Sequence, residues 1–242
     1  MTAKSSERIT GGRASTRKLT RITAGLWSLE STFVVWGCRG SARMVVVETA
    51  SGLVLYSPVR LAPENIDELK SIGPVATIVA PNLFHHMFLR PCQAAFPAAN
   101  VLVARGLEAK IGAIARSQEI TAGTRIGPPS EIAHFVFDGH TLHETVLFHR
   151  PTSTLITADL LYNYGPRQYP AERMFFRAIG CYGAPKVAFY HRFAIRDRRS
   201  VRRLVDTVST WGPRRIVMSH GDIVEDDDAA ALFAAAWERF AG

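Results

Sequence analysis

The stretch 75-VATIVAPNLFHHMFL-89 decides how this chain is read. Its first half is β-branched and apolar up to Ala80, as in a buried strand. Pro81 and Asn82 then break the run. Asn82 is expected to cap a helix over 83–96, with Pro91 ending or kinking it. Two histidines, His85 and His86, therefore stand just past the end of a buried strand. In layered α/β architectures, that rim is where ligands bind.

The same event recurs twice further on. The segment 154-TLITAD-159 is apolar or β-branched until it stops at Asp159, and 215-RIVMSH-220 stops at His220. Imidazoles and a carboxylate suit zinc, iron or manganese. Alternatives stay open for each residue alone. His86 could be a core or surface residue, and Asp159 could cap the following turn. His140, His143 and His149 compete for the same rim. If HETVLFH alternates, His143 and His149 share one face of a strand.

The rest of the chain supplies a frame. LWSLESTFVVWG (26–37) is a first extended segment, and ARMVVVET (42–49) with GLVLYSPV (52–59) forms a hairpin. PENIDELKSIG (63–73) is a short helix. NVLVA and GLEAKIGAI add a strand and a helix, and 117–129 is a loop. EIAHFVFDG, HETVLFHR and STLITADLLYN are three strands with tight connections. PAERMFFRAIGCYG (170–183) and 192–212 are helical, and DAAALFAAAWERFA (228–241) closes the chain as a helix.

Composition fits one sizeable domain. The chain has 242 residues, 47% of them hydrophobic, with a formal net charge of +8. No apolar run approaches the roughly 18–20 residues that span a bilayer, so no membrane partner is expected. Cys38, Cys92 and Cys181 form neither a disulfide framework nor a metal-binding pair, which points to a reducing cytoplasm. Residues 1–23 read as a basic flexible tail ahead of a single domain over 24–242. The arginines of 192–203 could follow phosphates. However, no aromatics are interleaved for base stacking, and Ile195, Val201 and Leu204 give the segment a buried side, so a solvated face is the stronger reading.

The order of these motifs resembles the metallo-β-lactamase fold superfamily, and more closely its DUF4336 branch. The resemblance spans about residues 24–240 and rests on SPVRL, IVAPNLFHHMFL, TVLFHRPTSTLITADLLYN and IVMSHGD. It implies an α+β fold, a four-layer αββα sandwich with its site at one edge of two sheets. The superfamily's His-x-His-x-Asp-His motif falls on Pro81 to His86. Its two leading histidines are replaced by Pro81 and Leu83, while its Asp and last His positions carry His85 and His86. The middle histidine falls on His140, the bridging aspartate on Asp159 and the final histidine on His220.

The resemblance thus implies a degenerate, mononuclear site of His85, His86, Asp159 and His220, with His140 as a further candidate. One divalent ion is expected, zinc first, with iron or manganese as alternatives and an empty site as a third outcome. Asp159 and His85 are the expected catalytic groups, His85 as ligand or proton carrier. Arg60, Arg150, Tyr162 and Tyr164 are the expected substrate contacts, and Ser57 is a supporting candidate. The implied activity is metal-dependent hydrolysis of an ester, thioester, amide or phosphoester of a small, anionic substrate. The alternative is an inactive member that binds a ligand or partner. Sequence gives no oligomeric state.

Overall fold

The computed structural model describes residues 18–35, 38–166 and 170–241. Strands β1 (Thr20–Thr23), β2 (Leu26–Val35), β3 (Cys38–Thr49) and β4 (Gly52–Tyr56) form an antiparallel meander. After helix α1 (Pro63–Ile72), strands β5 (Val75–Ala80), β6 (Asn100–Val103) and β7 (Ser117–Glu119) extend it in parallel, so the first sheet runs β1 to β7 in order. Helices α2 (Leu89–Ala95) and α3 (Leu107–Ile111) are the β5–β6 and β6–β7 crossovers. The second sheet holds β8 (Ile132–Val136), β9 (Thr145–His149), β10 (Thr154–Thr157), β11 (Arg215–Met218) and β12 (Val224–Glu225) in the order β12-β11-β10-β9-β8. Four more helices follow β10: α4 (Pro170–Ala178), α5 (His191–Ala194), α6 (Arg198–Trp211) and α7 (Ala229–Ala241).

Period-two alternation explains the layers. Met44 and Val46 of β3, Leu53 and Leu55 of β4 and Ile78 of β5 face α1 and α2. Their neighbours Val45, Val47, Val54, Tyr56 and Val79 turn the other way and meet Leu147, Ile156 and Val217 of the second sheet. The outer face of that sheet, with Val146, Leu155, Ile216 and Met218, packs on α6 and α7 through Leu204, Phe233 and Trp237. Helix, sheet, sheet, helix is the expected αββα sandwich. No helix among the described residues is long and apolar enough to cross a membrane.

Several boundaries differ from the sequence reading. Thr20–Thr23 belongs to the first sheet as its edge strand, so the domain begins before residue 24; residues 1–17 of the expected tail lie outside the described residues. The stretch 83–88 is a series of turns, and only Leu89–Ala95 is helical. Pro91 does not end that helix but sits in its first turn, where an N–H would lack an intrahelical partner anyway. The segment 192–212 is two helices, because the Asp197 side chain accepts from Arg199 N and starts α6 afresh. Cys92 and Cys181 are buried free thiols, while the side chain of Cys38 lies outside the description.

Candidate metal centre

Strand direction builds the site. β4 and β5 run parallel to each other, as do β10 and β11. The residues after these four strands meet at one rim: Ser57 after β4, Asn82 and His85 after β5, Asp159 after β10 and His220 after β11. There, one ligand atom each from His85, Asp159 and His220 lies within 4.8 Å of the others. His85 Nε2 is 3.3 Å from Asp159 Oδ2, His220 Nε2 is 3.2 Å from Asp159 Oδ1, and the two Nε2 atoms are 3.2 Å apart. These three side chains could coordinate a divalent ion.

The imidazoles are oriented from behind. His220 Nδ1 is 2.7 Å from the Ser41 carbonyl, which can only accept, so Nδ1 carries a proton and Nε2 is turned toward the cluster. His85 Nδ1 is 2.6 Å from Ser57 Oγ, which lies 3.1 Å from Ser219 Oγ, itself 3.1 Å from the Arg43 carbonyl. Ser219 Oγ is the donor toward both Ser57 Oγ and the Arg43 carbonyl. Ser57 Oγ, accepting from Ser219, pairs with His85 Nδ1, and this bond turns Nε2 toward the cluster. Ser57 holds this place at φ 61°, a left-handed conformation costly for a residue with a Cβ.

Asn82 and Glu144 hold the remaining ligand. Asn82 Oδ1 accepts from Phe84 N and His85 N at 2.8 and 2.9 Å, an Asx turn that replaces the expected helix and turns His85 inward. Its Nδ2 donates to Asp159 Oδ2 and Glu144 Oε2, both at 2.8 Å. Glu144 is fully buried and also accepts from Thr157 Oγ1, Ala158 N and Asp159 N at 2.7–2.9 Å. Four donors on one carboxylate lock the end of β10, and with it Asp159. Sequence reasoning missed Glu144. Its signal was a lone acid entering the apolar strand 145-TVLFH-149.

The charges follow from this packing. Burial would raise the Asp159 pKa, but the His85 charge and hydrogen bonds from His220 and His85 outweigh it and hold the carboxyl well below its ordinary range. Burial would lower His85, but the Asp159 carboxylate and, more weakly, Glu144 raise it. Burial and the Asp159 charge raise Glu144 against the pull of its own hydrogen-bond donors.

The other expected site residues are placed differently. His86 is half-buried on the same turn, outside the three-residue cluster, because adjacent residues there point apart and the Asx turn selects His85. His140 is a correction: it is fully buried with its Nδ1 accepting from Leu142 N and its Nε2 3.0 Å from His191 Nδ1. Both ring nitrogens are thus committed to the interior. Arg150 is a second correction. β9 is antiparallel to β10, with Thr154 opposite His149, so Arg150 leaves β9 at the rim opposite Asp159 and donates to the Pro129 carbonyl. Arg60 is exposed, its guanidinium 5.7 Å from the centre of the Phe88 ring.

Tyr162 and Tyr164 are buried rather than open to a substrate. Tyr162 donates to Asp159 Oδ1 at 3.1 Å and stacks on His220, so it supports the cluster. Tyr164 stacks between Tyr162 and Phe176 of α4. Tyr190, unread in the sequence, places its hydroxyl 2.7 Å from that of Tyr162 and links the surface to Asp159.

Known proteins fit this geometry. Residues 24–107 match the family model described as a domain of unknown function, DUF4336. No curated protein matches the chain. Among solved structures, a metallo-β-lactamase from Pontibacter korlensis is 15% identical, with a TM-score of 0.62 over 93% of this chain and 99% of that one. The metallo-β-lactamase FIM-1 from Pseudomonas aeruginosa, in a mono-zinc form, is 14% identical with a TM-score of 0.62 over 93% and 96%. A metallo-β-lactamase from Erythrobacter litoralis is 13% identical with a TM-score of 0.60 over 96% and 99%. Likeness at this level is likeness of fold, and the partial motif is the chain's own. The chain thus has the fold of the metallo-β-lactamases, and its residues 24–107 match the DUF4336 model.

Proposed function

We propose that this protein is a hydrolase working with one divalent ion, zinc first and iron or manganese next, held by His85, Asp159 and His220. The observation that carries this reading is the meeting of three ligand atoms from three separate strand ends, two of them imidazole nitrogens whose opposite nitrogens are tied down. The donor set fits the group: two neutral nitrogens and a carboxylate leave a tetrahedral ion one position for water or substrate. Such an ion supplies Lewis acidity and lowers the pKa of water.

The chain's own residues do the rest. Asp159 stays ionised and lies against both imidazoles. Glu144, Asn82 and Tyr162 keep it from turning away. The Ser41 carbonyl holds the His220 proton on the far side of its ring, and Ser57 pairs with the far nitrogen of His85. With His85 in the ligand set, it acts as a ligand rather than as a free base. The loss of histidines at Pro81 and Leu83, and the burial of His140, favour one ion over two. The substrate class follows the fold: an ester, thioester, amide or phosphoester, with Arg60 as a cation at the rim.

The test is a hydrolysis screen over those four bond types, using the full chain as purified, after chelation, and after restoring zinc, iron or manganese. The expected result is turnover of one class that is lost on chelation and restored by one metal. Turnover that survives chelation and Asp159→Ala would overturn the proposal. So would a metal-loaded protein inert to the whole screen, which would favour a ligand-binding role.

A further inference from the structure

Among the described residues, the exposed large hydrophobic side chains are Phe84, Met87, Met174, Phe175, Phe189, Tyr190 and Phe193. They fall in three segments remote in sequence; Tyr190 reaches Asp159 through Tyr162, and α4 is joined to the same tyrosine by the Phe176–Tyr164–Tyr162 stack. Phe84 and Met87 flank His85. Thr141 N donates to the Ala194 carbonyl and Leu83 N to the Leu142 carbonyl, which ties the Phe193 segment to the Phe84 turn. Phe189 N donates to the Ile179 carbonyl, which ties the same segment to the end of α4. These hydrogen bonds join the three segments into one neighbourhood of the surface.

Met174 is 70% exposed, Phe193 64% and Phe84 60%. Side chains that bind a small molecule usually line a concavity, whereas these project outward. Their charged neighbours are cations. Lys110 lies 5.0 Å from the centre of the Phe84 ring and Arg192 4.4 Å from that of Phe193, while Arg173 and Arg177 of α4, next in sequence to Met174 and near Phe175, lie over the Tyr182 ring. No acid occurs in 84–90, 173–178 or 186–194, and the nearest along α4 is Glu172. Projecting aromatic and methionine tips ringed by basic side chains match an interface with anionic phospholipid. A second copy of this chain would set cations against cations.

We propose that this rim docks the protein onto the surface of an anionic bilayer, with the mouth of the metal centre turned toward the lipid. This does not require the chain to span the membrane, and it stands apart from the hydrolase reading. The test is co-sedimentation of the full chain with vesicles of phosphatidylglycerol and phosphatidylcholine, and with phosphatidylcholine alone, at low and high salt. A triple variant, Phe84→Ser, Met174→Ser and Phe193→Ser, keeps every cation and the basic N-terminal residues; circular dichroism checks its fold.

The expected result is salt-sensitive binding to the anionic vesicles, weakened about tenfold or more in the triple variant. Wild-type protein that stays in solution with anionic vesicles would overturn the proposal. Equal binding by a folded triple variant would also overturn it, since attraction by charge alone would then suffice. Self-association of the wild type that the triple variant abolishes would reassign the rim to a contact between copies. Saturable binding of soluble dodecanoate without vesicle binding would reassign it to a substrate. None of these outcomes depends on turnover.

Discussion

Glu144 shows how much of the site rests on a residue that touches no ligand. Its carboxylate accepts four hydrogen bonds in a fully buried position. Glu144→Gln puts an N–H₂ where only acceptors fit, opposite donors that lose their partner. The expected cost is about 1–3 kcal/mol of stability in urea denaturation, with metal affinity about 10–100-fold weaker by competition titration. Unchanged affinity would show that Asp159 is held by other contacts. Tyr162→Phe removes only the hydroxyl on Asp159. It should leave the unfolding midpoint nearly unchanged and weaken the metal more mildly. These two supports were hidden in the sequence for different reasons. Tyr162 was noticed, but as a substrate contact, because a hydroxyl near a site does not say which way it points. Glu144 was invisible because burial of a carboxylate depends on donors from two other segments, Asn82 and 157–159.

At the scale of elements, the strand ends were legible and the turns were not. An apolar run that stops at a polar residue marks a buried strand meeting a rim, and that rule found His85, Asp159 and His220. Face alternation could not place Arg150, but strand direction could have. Tight connection of 145–149 to 154–157 implies an antiparallel pair, whose C-terminal ends lie at opposite rims. In the helix expected over 83–96, Asn82 makes the two bonds of a cap, to Phe84 N and His85 N, but the chain continues in turns and becomes helical only from Leu89 to Ala95. The loop after β11 gives a test at this scale. Gly221 has φ 92°, and a Cβ there would stand 2.3 Å from the Asn163 carbonyl oxygen. Gly221→Ala must therefore push His220 away from Asp159. Metal affinity should fall by about tenfold or more, along with a stability loss of roughly 1–3 kcal/mol from the strained backbone. Wild-type metal binding in this variant would mean that the loop does not set the position of His220.

For the molecule as a whole, the strand and helix pattern gave a layered core and the resemblance of its motif order gave the sandwich, whereas the buried histidine pair beneath the site was not readable. Burial lowers His140 to about 3, helped by the His191 charge, and lowers His191 to about 4. An unfolded chain binds protons on both near pH 6.5, so between that value and about 4 the unfolded state holds more protons than the folded one. Stability should fall with pH across that window, by up to about 1.4 kcal/mol per unit for each group. His85 runs the other way in metal-free protein. Its raised pKa adds stability that is complete below 6.5 and lost as pH rises through the folded value. Below 6.5 the His85 contribution is already complete and adds no slope, so urea midpoints of metal-free protein should drop from pH 6.5 to pH 5. A flat or rising profile would contradict the buried, neutral pair.

Metal stoichiometry tests the central claim most directly. Elemental analysis of the full chain, purified without added metal and again after equilibration with zinc, should give about one ion per chain. Asp159→Ala and His220→Ala should abolish it, and His86→Ala and His140→Ala should leave it in place whenever they fold. Metal content unchanged in Asp159→Ala and His220→Ala, or no binding by the wild type at all, would contradict the account.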